Sequence, residues 1–145
     1  MQMTERVLLD SNVLIAAIDS SRPGHLLARS LIESDPRALT VTGQNMREFF
    51  STLTRPASVN GYGADGDRAV ADWTEITSTL EFVDETPGSR QLLASFVGDG
   101  KAVGKRVHDA NLVAVAVEHG ATALITANRR HFERFTELIE VEELF

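Results

Sequence analysis

A chain of 145 residues, 43% hydrophobic and 24% charged, has the composition of one globular domain able to bury a core. Cysteine is absent and there are four histidines, which excludes disulfides, thiolate catalysis and cysteine-based zinc or iron–sulfur centres, so any metal should be held by oxygen. The net charge of −7, from 21 acids against 14 Lys and Arg, argues against nonspecific coating of nucleic acid but is compatible with a compact acidic site for Mg²⁺ or Mn²⁺.

No apolar run approaches the ~20 residues needed to cross a bilayer. The start, Met1-Gln2-Met3-Thr4-Glu5-Arg6, lacks the basic, apolar, then small-residue order of a signal peptide. A single soluble domain over residues 1–145, located in the cytoplasm, is the expectation.

In chain order, Arg6 to Leu9 reads as a strand and Ser11 to Ile18 as a helix. A turn at Ser20-Ser21-Arg22-Pro23-Gly24 leads to a helix over His25 to Glu33, followed by a strand over Ala38 to Thr42. Gly43 to Thr54 is predicted helical, with Met46, Phe49, Phe50 and Leu53 on one face and Pro56 beyond its end. Ser58 to Gly66 is the clearest loop. Asp67 to Thr77 reads as a helix, Leu80 to Val83 as a strand and Ser89 to Val97 as a helix, with a glycine-bounded connection from Gly98 to Gly104. Val107 to Glu118 is nearly all apolar and should be a buried helix stopped by Gly120. A strand over Ala123 to Thr126, a short helix over Arg129 to Phe135 and a last strand over Leu138 to Val141 complete the pattern. Alternating strands and helices imply βαβ units, hence a three-layer α/β/α domain with a central, mostly parallel sheet.

Four polar residues stand at the junctions of these elements. Asp10 closes the first strand, where ligands of open α/β sheets bind; it also suits the cap of the following helix, and the two roles are compatible. Asp109 shares a face with Leu112, Val113 and Ala116, so either a compensating partner or the helix dipole must account for it. Glu48 projects away from its helix's apolar stripe, on the face of Asn45, and by pattern alone reads as a solvated surface acid. Asn128 follows a strand end, where a turn or cap role competes with a ligand role.

Together these residues lie in four segments: VLLDSNVLIAAID at 7–19, QNMREFFSTLTRP at 44–56, VHDANLVAVAVEHG at 107–120 and LITANRRHFERF at 124–135. In this order and spacing they resemble the PIN-domain ribonucleases, most closely the VapC-like toxins of bacterial toxin–antitoxin pairs. The resemblance implies that Asp10, Glu48 and Asp109 hold a divalent cation, Mg²⁺ with Mn²⁺ as substitute. Asn128 takes a fourth catalytic position that is often Asp in the wider family, and Ser11 and Thr126 act as supporting hydroxyls. It further implies a metal-dependent endoribonuclease that hydrolyses RNA phosphodiester bonds with metal-activated water, leaving a 5′-phosphate and a 3′-hydroxyl. Divalent cations suit that chemistry because they both generate the nucleophile and neutralise charge on the phosphoryl oxygens.

The partners implied are an RNA substrate, a cognate antitoxin with a basic C-terminal segment, and a second copy in a homodimer. For the homodimer, Leu26 to Ile32 and the region of Phe49-Phe50 are candidate contact surfaces, with core packing as the competing reading. Arg55, Lys101, Lys105, Arg106, His108, Arg129, Arg130 and His131 are candidates for a local basic rim. A catalytically inactive PIN-like binding module is the alternative that Asn128 permits. A phospho-accepting receiver domain would need an acidic pair where Asp10-Ser11 offers one acid.

Overall fold

A computed structural model of the chain describes residues 4–145; Met1 to Met3, part of the stretch read above for a targeting signal, lie outside them. Five strands form one parallel sheet: β1 (Arg6–Leu9), β2 (Ala38–Thr42), β3 (Glu81–Val83), β4 (Ala123–Thr126) and β5 (Glu140–Glu143), in the order β3-β2-β1-β4-β5. Helices α1 (Ser11–Ile18), α2 (His25–Ser34), α3 (Gly43–Thr54) and α4 (Gly66–Ile76) connect the first three strands. Helices α5 (Pro87–Gly98) and α6 (Arg106–Glu118) connect β3 to β4, and a 3₁₀ helix (Arg129–Phe135) leads to β5. Among the described residues no helix is long and apolar enough to cross a membrane.

The alternation of side chains along each strand divides the core into two layers. Val7, Leu9, Ala123 and Ile125 face one layer with Val13, Leu14, Phe49 and Trp73, whereas Leu8 and Leu124 face the other with Val113, Phe96, Phe132 and Phe135. Central strands are therefore apolar on both faces and read as unbroken runs rather than alternating ones. Helix α6 is buried on all sides from Ala110 to Ala116 for the same reason, with Asn111 as the polar residue of that run.

Two elements are displaced from the sequence expectation by two residues, whereas α2, α4, α6 and β3 shift by one at one end or both. The last strand runs over Glu140–Glu143 and not Leu138 to Val141, because its register is set by pairing Ala123 with Glu140 and Thr126 with Glu143. Leu138 and Ile139 instead close a turn, both donating to the carbonyl of Phe135. An acid-rich edge strand with one inward residue, Val141, carries little periodicity of its own. Helix α5 begins at Pro87, ahead of the predicted Ser89, because Thr86 and Ser89 form a reciprocal capping box around a proline in the first turn.

The two proposed contact surfaces also separate. Leu26 and Leu27 on α2 are exposed, but Phe49 is fully buried and packs edge-on against Trp73 with ring centroids 5.3 Å apart. Phe49 is core.

Candidate active site

The strand order reverses direction between β1 and β4, and at such a switch point the connections leave toward opposite faces and open a crevice at the carboxyl ends of the strands. Asp10 sits there, between the end of β1 and the start of α1. Its backbone N–H continues the ladder by donating to the carbonyl of Ile125, at 2.9 Å. One carboxylate oxygen accepts from the Ser11 N–H at 2.8 Å, and the other accepts from the Thr126 hydroxyl at 2.8 Å. Capping and site placement thus coexist in one residue. Thr126 comes from the end of β4, 116 residues away along the chain.

Glu48 reaches the same region from α3. The Ser11 hydroxyl donates to its Oε1 at 2.8 Å, so Ser11 links the two acids by its backbone and its side chain. Ser11 is itself held by Asn45, whose Nδ2 donates to the Ser11 hydroxyl at 3.0 Å and to the carbonyl of Leu9 at 3.1 Å. Asn45 is fully buried and also closes a capping box with Thr42 at the start of α3. One amide therefore ties the end of β1, the start of α3 and the linker between the acids.

Asp109, in the first turn of α6, is partly exposed. Its Oδ2 lies 3.2 Å from Arg106 Nη1 and 3.7 Å from His131 Nδ1. The Asn128 backbone N–H donates to the Thr126 hydroxyl oxygen at 3.0 Å, while its side-chain amide meets His131 Nε2 at 2.8 Å. Asn128 thus joins the network through its backbone and is turned by its side chain toward the histidine that faces Asp109.

The electrostatics follow from this placement. Burial raises the Asp10 pKa to about 6, with the charges of Asp109 and Glu48 adding to the rise, and the hydrogen bonds from Thr126 and Ser11 oppose it. Among the described residues no cation pairs with Asp10 or Glu48. Three acids from three segments thus act on one point. Their donors are all hard oxygen atoms, the type preferred by Mg²⁺ and Mn²⁺. Among the described residues no three His, Cys, Asp or Glu side chains stand close enough together to enclose a metal ion.

Several participants were not singled out from sequence. Asn12 accepts from the Ala127 N–H at 3.0 Å and so pins the loop after β4. Gln44 donates to the carbonyl of His108, and Asn111 donates to Gln44 and to Glu85, each within 2.9 Å, so that buried amides brace the first turn of α6 against α3. Asn111 was visible as the lone polar residue within an apolar helix run. Of the candidate basic rim, Arg106 and His131 meet Asp109, whereas Arg129 turns to the carbonyl of Val141.

The sequence matches the PIN domain family over residues 7–138. The chain belongs to the PIN-domain family. Solved structures with the same fold include the DNA-bound VapBC of Salmonella typhimurium, at 23% identity over 99% of this chain and 100% of that one, with a TM-score of 0.69. VapBC2 of Rickettsia felis, bound to a DNA fragment from its promoter, matches at 17% identity over 95% and 98% of the two chains, with a TM-score of 0.69. The Mycobacterium tuberculosis toxin VapC20, which cleaves the sarcin–ricin loop, matches at 16% identity over 94% and 98%, with a TM-score of 0.69. A comparison with curated protein sequences finds no match. In this PIN domain, the switch point gathers residues from all four segments that carried the family resemblance.

Proposed function

We propose that this PIN domain is a Mg²⁺-dependent endoribonuclease toxin, with Mn²⁺ able to substitute, held in check by a cognate antitoxin. The observation that carries the reading is Asp10: a buried carboxylate at the switch-point crevice, under the charge of Asp109 and Glu48, with no cation among the described residues to pair with it. Such an arrangement is unfavourable in isolation and is relieved by a bound cation. Asp10, Glu48 and Asp109 would hold the ion, with Asn128 contributing at the edge of the site. A divalent ion supplies activated water and neutralises charge on a phosphoryl group.

The chain's own residues have distinct roles in this reading. Ser11 and Thr126 fix the two oxygens of Asp10 by hydrogen bonds, and Ser11 orients Glu48. Arg106 shields Asp109 while the site is empty of substrate. Antitoxin partnership is supported by the VapBC complexes that share the fold. An arginine from a basic C-terminal segment of that partner would suit the unpaired acids by charge-assisted hydrogen bonds. RNA as substrate is supported by the named activity of the Mycobacterium tuberculosis relative.

The test combines cleavage and growth. Purified wild-type protein should cut RNA with Mg²⁺ and stop when EDTA is added, and Asp10→Asn should lose at least about 100-fold in rate, the scale of losing one preorganised charge-stabilising group. Inducing wild type should arrest growth, and Asp10→Asn should not. Arrest by the Asp10→Asn variant as strong as by wild type would favour the inactive binding module.

A further inference from the structure

A cleft of about 240 Å³ lies between the loop that precedes α6 and the 3₁₀ helix, and its walls carry Lys101, Arg106, Arg130, His131 and Arg134. Four of the chain's fourteen Lys and Arg residues meet there, in a molecule of net charge −7. Glu133 is the one acid on the wall.

Three of these cations are uncommitted. Among the described residues neither Lys101, Arg130 nor Arg134 forms an ion pair. Arg134 donates to the carbonyl of Gly100 at 2.9 Å, which ties the 3₁₀ helix to the loop, and Lys101 lies 6.0 Å from the centre of the Phe96 ring. Like charges gathered in this way repel one another, so the cluster is stabilised by an anion. Planar guanidinium groups match the paired oxygens of a phosphate.

The cleft also adjoins the acidic centre. Arg106 and His131 line it and at the same time face Oδ2 of Asp109. The same two side chains form the shared wall between a basic and an acidic compartment.

We propose that this cleft seats a phosphate of the RNA backbone next to the one being cut, held by Lys101, Arg130 and Arg134. The inference rests on the nuclease reading and assigns the direction in which the substrate strand leaves the acidic centre, over the start of α6 and the 3₁₀ helix. A bound phosphate also draws Arg106 and His131 away from Asp109, which frees that carboxylate. An acidic protein segment is the competing occupant. The backbone of RNA is favoured because the cleft shares Arg106 and His131 with Asp109, one of the carboxylates at which phosphodiester chemistry would occur.

The experiment measures binding of a fluorescein-labelled 12-nucleotide single-stranded RNA to the full chain carrying Asp10→Asn, over a range of salt. Adding Arg130→Gln and Arg134→Gln should weaken binding at least about tenfold and flatten the slope of log K against log salt by up to about 0.7, the share of one single-strand phosphate left without its cations. The pair Arg130→Lys with Arg134→Lys should restore most of the slope, which a merely structural role would not predict. The control pair Arg29→Gln with Arg68→Gln removes the same charge elsewhere and should leave the slope near its starting value. Unchanged affinity and slope in the Gln pair, with wild type still cleaving RNA, overturns the cleft and leaves the nuclease reading standing. Loss of binding in the Gln pair, with wild type failing to cleave RNA, upholds the cleft as a phosphate site and removes the nuclease reading.

Discussion

Asp10 concentrates the electrostatic strain of the proposed site at the scale of a single residue, because its ionised form is disfavoured by its surroundings. Its pKa in the folded chain is about 6, against 3.8 for an unperturbed Asp. The folded state therefore holds the proton more tightly than the unfolded state, and without a divalent cation stability falls as pH rises through that window and is level above it. A rise of this size corresponds to about 3 kcal/mol. Asp10→Asn keeps a good helix cap but removes the charge. In EDTA at pH 8 the variant should be more stable than wild type by up to about 3 kcal/mol, and the gap should close as pH falls toward 4. Urea unfolding across that range measures it. A variant less stable than wild type at pH 8 would mean that Asp10 serves chiefly as a cap.

At the scale of elements, Asn45 does what no single strand or helix does alone. It completes the capping box of α3 with Thr42, satisfies the last carbonyl of β1 and steadies Ser11 between Asp10 and Glu48. Asn45→Ala keeps the Thr42 cap but leaves the Thr42 N–H and the Leu9 carbonyl without their side-chain partner, which should cost about 2–3 kcal/mol in unfolding free energy. It should also slow RNA cleavage, since Ser11 is released. Normal stability with normal cleavage would show that the amide bridge is dispensable. The capping box was within reach of the sequence, as Thr42 and Asn45 stand three apart, whereas the contacts with Leu9 and Ser11 span 36 and 34 residues and had no local signal. Much the same holds for β5, whose register belongs to β4.

The whole molecule combines an acidic net charge with two local compartments of opposite sign, one around Asp10 and one around Arg130 and Arg134. Binding that favours only the folded state stabilises it by mass action, at about 2.7 kcal/mol when the ligand is at 100 times its dissociation constant. For a domain of this size that corresponds to a rise of about 5–10 °C in the melting midpoint. Mn²⁺ should therefore raise the midpoint of wild type, and the combined variant Asp10→Asn, Glu48→Gln, Asp109→Asn should not respond. An equal rise in both would place the ion elsewhere on the surface.

The sequence by itself determined the alternation of strands and helices, because buried parallel strands and buried helices need distinct apolar periods that can be read locally. It also determined that acids stand at the ends of β1 and in the first turn of α6, since Asp10 and Asp109 follow directly from those element boundaries. Only the tertiary structure decided that β4 lies beside β1, which brings Thr126 onto Asp10 across 116 residues. It likewise decided that Arg106 and His131, and not Arg129, turn toward Asp109. Strand order and side-chain direction depend on how the two apolar faces of the sheet pack against their helices, and that packing involves contacts between residues far apart in the chain, which leave no period in any local stretch of sequence.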